Sequence, residues 1–185
     1  MTENLYPYCC LVNSPNGPRG NGFVGRKDNR SIFYTATHVA KEIRFANILG
    51  RQIQMRETTP LEDRDISCLP LSDIDKGILL AEDHAVSLDV TVIGLHPITT
   101  SRFEVKAEII GGCKEDFNHL IINAPDGGLV KGMSGSVVLV NNKAIGILTK
   151  GNDNGNQFSY TNLGLVTLFP HLGNIRTQQF NRINR

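Results

Sequence analysis

Ser134 stands in the string Gly132-Met133-Ser134-Gly135-Ser136, ahead of the apolar run Val137-Val138-Leu139-Val140 and an Asn-Asn turn. Glycines beside a serine let the backbone turn sharply and approach a substrate carbonyl closely. The N–H groups of Gly132 and Ser134 can then point at one spot, where a tetrahedral oxyanion would form. By itself the string equally describes a glycine-rich loop entering a buried strand. Two other stretches supply the missing chemistry. Ser31-Ile32-Phe33-Tyr34-Thr35-Ala36-Thr37-His38-Val39-Ala40 is a β-branched and aromatic run ending in small residues and a histidine. That pattern sets His38 just beyond a strand end. Arg64-Asp65-Ile66-Ser67-Cys68-Leu69-Pro70-Leu71 places a carboxylate at the mouth of a mostly apolar run. A serine hydroxyl is a poor nucleophile until an imidazole nitrogen takes its proton, and that imidazole needs an acceptor on its other nitrogen. His38, Asp65 and Ser134 are the candidates for base, orienting acid and nucleophile. Asp63 competes for the acid role from two residues away, on the same strand face. The Ile-Ser-x-Leu run directly after Asp65 favours Asp65.

The strings Thr35-Ala36-Thr37-His38-Val39, Asp65-Ile66-Ser67 and Gly132-Met133-Ser134-Gly135-Ser136 resemble the three motifs of chymotrypsin-like (trypsin-fold) serine proteases. Ala144-Ile145-Gly146-Ile147-Leu148-Thr149-Lys150-Gly151 is similar to the family's strand after the nucleophile, and Asn162-Leu163-Gly164-Leu165-Val166 to its last barrel strand. The resemblance spans most of the chain. It implies a serine endopeptidase working on a protein or polyprotein substrate. Gly132 and Ser134 would supply the oxyanion-hole amides. Thr149 matches a hydroxyl that in the family supports the catalytic aspartate. Lys150-Gly151 match the edge to which an extended substrate adds a strand. Gly128 matches the base of the specificity pocket and Leu129 its neighbour, with Gly151 and Gly164 on the walls. The pocket this implies is uncharged at its base and suits an apolar or medium polar residue, unless Asp126 reaches it. Met133 departs from the zymogen-activated members, which carry an aspartate there to pair with a newly cut amino terminus. The oxyanion loop must therefore be ordered by other means, as in small stand-alone viral and bacterial or heat-shock-type members, which this chain resembles more closely.

The elements that must position these residues read as short strands. Runs at 6–12, 22–25, 31–35, 44–49, 52–57 and 66–71 precede a less patterned connection around 72–88. Runs at 90–94, 103–110, 120–123, 136–140, 144–148 and 159–168 come after it. Glycine, proline, asparagine and aspartate clusters separate them. Six and six suit an all-β protein, and the resemblance implies two six-stranded antiparallel β-barrels. The expected division is an N-terminal barrel over 5–72, a C-terminal barrel over 89–169 and a tail over 170–185. A short helix is expected after His38 at 41–43, and another over 170–181, which Gly173 weakens.

A chain of 185 residues with 40% apolar and 20% charged residues is long and apolar enough to bury a core as one domain. Its net charge of +1 leaves no electrostatic footprint for nucleic acid or an acidic membrane. Cys9, Cys10, Cys68 and Cys113 show neither ligand spacing nor a secreted disulfide framework, so free, mostly buried thiols are expected. No metal or cofactor is called for. The start of the chain shows no secretory signal and no run approaches a membrane span, which points to the cytoplasm. His84, His96, His119 and His171 lack a serine or cysteine in a comparable glycine setting and read as surface or loop histidines.

Overall fold

A computed structural model describes residues 2–82, 87–112, 119–151 and 162–172. The first half opens with a 3-10 turn, Thr2–Tyr8, where the sequence suggested a strand from residue 6. Pro7 has no amide to give to a ladder, so pairing begins after it. Next come β1 (Cys9–Ser14), β2 (Gly17–Lys27), β3 (Arg30–Thr35), β4 (Phe45–Ile48), β5 (Arg51–Gln54), β6 (Thr59–Pro60), β7 (Ser67–Leu71) and β8 (Ile78–Leu79). They form one sheet in the order β5-β4-β1-β2-β3-β7-β6, with β8 added in parallel along β2. The second half holds β9 (Asp89–Leu95), β10 (Arg102–Gly112), β11 (His119–Asn123), β12 (Val137–Val140), β13 (Lys143–Gly151) and β14 (Leu163–Leu168). These close into a barrel, β10-β11-β14-β13-β12-β9. The two-barrel, all-β architecture holds, with the first unit a curled sheet and the second fully closed.

Residue alternation explains the second unit. Along β10, Val105, Ala107 and Ile109 point inward while Glu104, Lys106 and Glu108 point out, the two-residue period of a half-buried strand. The β12 strand breaks that rule because both of its faces are covered. Val137 and Leu139 join the core of the first unit, and Val138 and Val140 the core of the barrel. Its partner β13 does the same, sending Ala144 and Ile147 one way and Ile145 and Leu148 the other. The hairpin leaving the Ser134 loop is thus a wall shared by two cores. Its turn, Asn141-Asn142, has both residues at positive φ, as does the Asp28-Asn29 turn between β2 and β3. Asparagine and aspartate tolerate that region, and such turns match the twist of a hairpin.

Each of the twelve expected runs overlaps a strand, residues 159–161 of the last lying outside the described residues, but two short strands were not foreseen. β6 and β8 have two residues each, too few for a periodic signal. The expected helix at 41–43 is a turn closed by Arg44 N–H on the Lys41 carbonyl. Of the helix expected over 170–181, only the 3-10 turn Pro170–Leu172 is among the described residues. Cys9 and Cys10 are both buried free thiols and Cys68 is half-buried, while Cys113 lies outside the described residues. Burial pushes the Cys9 thiol up to about 12, against a lowering by the Arg102 charge. Among the described residues, no helix is long and apolar enough to cross a membrane.

Candidate active site

The pairing of β3 with β7 brings His38 and Asp65 together. Thr35 lies opposite Ser67 in an antiparallel ladder, so the chain leaving β3 and the chain entering β7 meet at one end. His38 comes three residues after Thr35, in a turn where the Ala36 carbonyl accepts from the amides of Val39 (2.9 Å) and Ala40 (3.1 Å). Asp65 comes two residues before Ser67. One carboxylate oxygen lies 2.5 Å from His38 Nδ1, and the other accepts the His38 backbone N–H at 2.9 Å. This double contact fixes both the ring and the peptide that carries it. Partial burial raises the Asp65 carboxyl, but hydrogen bonds from the His38 ring and amide, the imidazole charge and the Thr37 amide outweigh it. The group ends below its ordinary value. The side chains are 46% and 28% exposed, so solvent and ligand reach the pair. Asp63 is displaced from this role. It sits at φ +64 in the preceding exposed turn and not on a strand face with Asp65.

The Ser134 loop is held far more tightly. Met133 N–H donates to the Val130 carbonyl (3.2 Å), Gly135 N–H to Leu148 (2.7 Å) and Ser136 N–H to Met133 (3.0 Å). Among the described residues, the amides of Gly132 and Ser134 have no acceptor. The Ser134 carbonyl accepts from Asn21 N–H on β2 at 2.8 Å. Gly135, at φ +92, lets that approach happen, since a Cβ there would overlap the Asn21 carbonyl. Met133 is buried in the barrel core, and its Sδ accepts the Val130 N–H at 3.4 Å. An apolar side chain thus anchors the loop at the position just before Ser134. The Ser134 hydroxyl donates to the Thr149 carbonyl at 3.2 Å, and no hydrogen bond joins it to the His38 ring.

Thr149 does not play the part its position suggested. Its hydroxyl turns into the barrel, to the Leu165 carbonyl (3.2 Å) and the Thr167 hydroxyl (3.0 Å), and makes no hydrogen bond with Asp65. The ladder bulges at Thr149, where Leu148 faces Val166 and Lys150 faces Leu165. Lys150 and Gly151 continue β13 against β14. On their other side no described strand pairs with them, because β12 ends its pairing with β13 at Ile147. Leu129 is fully buried in the barrel core, and a Cβ on Gly164 would stand 3.0 Å from a Leu129 methyl. These two residues therefore sit behind any pocket surface and shape it from within the core. Gly128 adopts φ +100 beside Val105, and Asp126 is exposed in the turn before it. A surface cavity of about 530 Å³ opens elsewhere, between β9, β10 and the Asn141-Asn142 turn.

Of the other histidines, His96 Nδ1 accepts from the amides of its own turn, Ile98 (3.1 Å) and Thr99 (3.4 Å). His171 stacks on Phe169 and meets the Ala81 carbonyl at 2.7 Å, His119 lies in β11, and His84 lies outside the described residues. Among the described residues, no group of three His, Cys, Asp or Glu side chains is placed to hold a metal ion. Two residues near the site carry roles that the motifs did not announce. Arg64 donates from Nη1 to the Leu168 carbonyl at 2.8 Å, tying the Asp65 turn to the end of β14. Asn21 is fully buried and bonded to both halves. Asparagine is depleted in strands. One set between two glycines just ahead of the run 22–25 was the available signal.

No family model matches the chain, and neither does any curated protein. Solved structures do. The chain is similar to the serine protease of a human pathogenic astrovirus, at 15% identity, TM-score 0.59, and coverage of 89% of this chain and 91% of that one. It is also similar to the active form of the Rv3671c protease from M. tuberculosis, at 16% identity, TM-score 0.63, and coverage of 95% and 82%. Human heparin binding protein shares 10% identity at TM-score 0.67, with coverage of 95% and 92%. The fold is that of the trypsin-like proteins, the one implied by the motif resemblance.

Proposed function

We propose that this chain is a serine endopeptidase that hydrolyses peptide bonds through an acyl-enzyme. Ser134 is the nucleophile, His38 the general base and then acid, and Asp65 the group that orients the imidazole. The observation that carries this reading is the selective bonding of the Ser134 loop. Between Gly132 and Ser136 the amides of Met133, Gly135 and Ser136 are satisfied within the protein, whereas those of Gly132 and Ser134 find no acceptor among the described residues. Both residues are only partly buried, so these amides are available to an incoming oxygen. Two free donors on one loop are the requirement for stabilising an oxyanion.

In this mechanism a rotation about the Ser134 Cα–Cβ bond exchanges the Thr149 contact for one with His38 Nε2. Hydrogen bonds of this kind are often loose before substrate binds. The hydroxyl oxygen adds to the scissile carbonyl carbon while its proton passes to Nε2, and the carbonyl π electrons move onto oxygen. Collapse of the intermediate expels the amine, which takes the proton from Nε2, and leaves an ester on Ser134. Water then adds with His38 as base, and a second collapse releases the acid. Asp65, anchored on Nδ1, keeps Nε2 free for these transfers. The edge at Thr149, Lys150 and Gly151, which no described strand pairs on its outer side, would take an extended protein or polyprotein segment as an added strand. Gly128, Leu129 and Gly164 favour an uncharged residue before the cleaved bond.

The resting Ser134–Thr149 bond favours a second reading, a module that binds peptides or proteins without turnover. A fluorophosphonate probe separates the two. The peptidase reading expects covalent label on Ser134. It also expects Ser134→Ala to lose both the label and peptide cleavage, by about 10⁴–10⁶ in kcat. Unlabelled, folded protein that still binds peptides supports the second reading. Profiling of cleaved peptide libraries reads the pocket preference.

A further inference from the structure

Asn21 engages every polar atom it has. Its amide donates to the Ser134 carbonyl at 2.8 Å, and its carbonyl accepts the Thr35 hydroxyl at 2.7 Å. Its side-chain Nδ2 donates to the carbonyls of Leu95 (3.0 Å) and Gly132 (3.2 Å), and its Oδ1 accepts Leu95 N–H at 2.9 Å. A buried primary amide has two N–H donors, and here both are used, on two different segments. Asn21 belongs to β2 of the first sheet, Leu95 ends β9 of the barrel, and Gly132 and Ser134 belong to the loop between Leu129 and β12. One side chain therefore locks three segments from both halves.

We propose that Asn21 is the positioning residue that sets the oxyanion-binding conformation of the Ser134 loop, in place of an ion pair at Met133. This rests on the peptidase reading and adds to it the means by which the loop is ordered. The loop can fail by rotation of its peptide units, since Gly132, at φ +98, has little steric barrier of its own. The Asn21 side chain holds the carbonyl of the 132–133 peptide, whose N–H is held by Val130. The Asn21 backbone holds the carbonyl of the 134–135 peptide, whose N–H is held by Leu148. The peptide between them is held by Ser136 through the Met133 carbonyl. With these three units fixed, the Ser134 N–H has one direction left, and the Gly132 backbone is fixed from its carbonyl side. Leu95 matters because its two bonds stop the Asn21 amide from rotating away. Pro97, two residues on, packs over Gly132, where a Cβ would stand 2.7 Å from it.

The test is Asn21→Asp, which keeps the shape and the acceptor for Leu95 N–H but loses the Nδ2 donors, alongside Asn21→Ala. Relative to wild type, kcat and the rate of fluorophosphonate labelling should fall by about 10²–10³, the cost of losing one oxyanion donor. KM should change less than about threefold, because substrate docking on β13 is untouched. A folded variant that keeps wild-type kcat and labelling while its Tm falls overturns the proposal, since Asn21 is then only structural. Wild-type protein that neither labels nor cleaves instead overturns the peptidase reading. If neither variant folds, wild-type NMR decides. Asn21 side-chain protons that exchange as slowly as the Gly135 amide support the lock, and exchange at the rate of a free primary amide overturns it.

Discussion

His38 and Asp65 reach each other from neighbouring strands of the first sheet, whereas Ser134 sits on a loop held by residues from both halves. The acid–base pair is set by local pairing: once β3 and β7 are in register, the turns beyond them must meet. The pair stands half in solvent, its two members joined by two hydrogen bonds. The Ser134 loop is pinned by β2 from one side and by Leu148 and Val130 from the other, and it runs into a hairpin buried on both faces. On the peptidase reading, exposed proton-transfer groups tolerate a simple mount, because an imidazole must move slightly as it works. Oxyanion donors gain their strength from being fixed before charge develops, so that region carries the greater share of buried bonds.

After Ser134→Ala, the largest break in this contrast is Asp65→Asn. It should lower kcat by about 10⁴ and leave KM nearly unchanged, by freeing the His38 tautomer. The same variant reads the linkage. Because the folded carboxyl lies below its ordinary value of 3.8, its stabilisation is complete above that pH and is lost as pH falls through the folded value. The difference in Tm between wild type and Asp65→Asn should shrink below about pH 4, and a gap that stays constant there rejects the assignment. Gly135→Ala comes next. Its Cβ would overlap the Asn21 carbonyl at a left-handed φ, so stability should drop by about 2–4 kcal/mol. Activity at a permissive temperature should fall at least about 100-fold as the loop shifts. Denaturant melts and initial rates check both halves of that expectation. Thr149→Val is the smallest. Its hydroxyl serves the barrel and not Asp65, so about 1–3 kcal/mol of stability should go while kcat moves less than about tenfold. A loss in kcat near that of Asp65→Asn would return Thr149 to the role its position suggested.

Much of this arrangement was readable in the chain. Alternating runs such as 103–110 and the apolar run 136–140 marked strands, because a side chain every second residue must face core or solvent. His38, Asp65 and Ser134 stood out because each ends or begins such a run beside small residues. Asp63 and Asp65 could be ranked only by the residues on their C-terminal side, and the structure separates them by backbone: one lies in a left-handed turn, the other meets His38. β6 and β8 stayed hidden, since two residues have no period. Thr149 illustrates a different failure. A bulge at that position turns the hydroxyl into the barrel, and bulges depend on pairing across strands far apart in sequence.

Sequence alone determined that the chain forms short strands and that three side-chain types suited to hydrolysis stand beside the ends of those strands. These conclusions come from side-chain chemistry and from local periodicity, which need no knowledge of distant neighbours. Only the tertiary structure decided that Asn21 would bridge β9 and the Ser134 loop and that the β12–β13 hairpin would serve two cores. It also decided that, among the loop amides from Gly132 to Ser136, those of Gly132 and Ser134 would be left without an acceptor among the described residues. Hydrogen bonds between segments more than a hundred residues apart, such as that from Asn21 to Gly132, are set by how two sheets pack. No spacing along the chain encodes that packing.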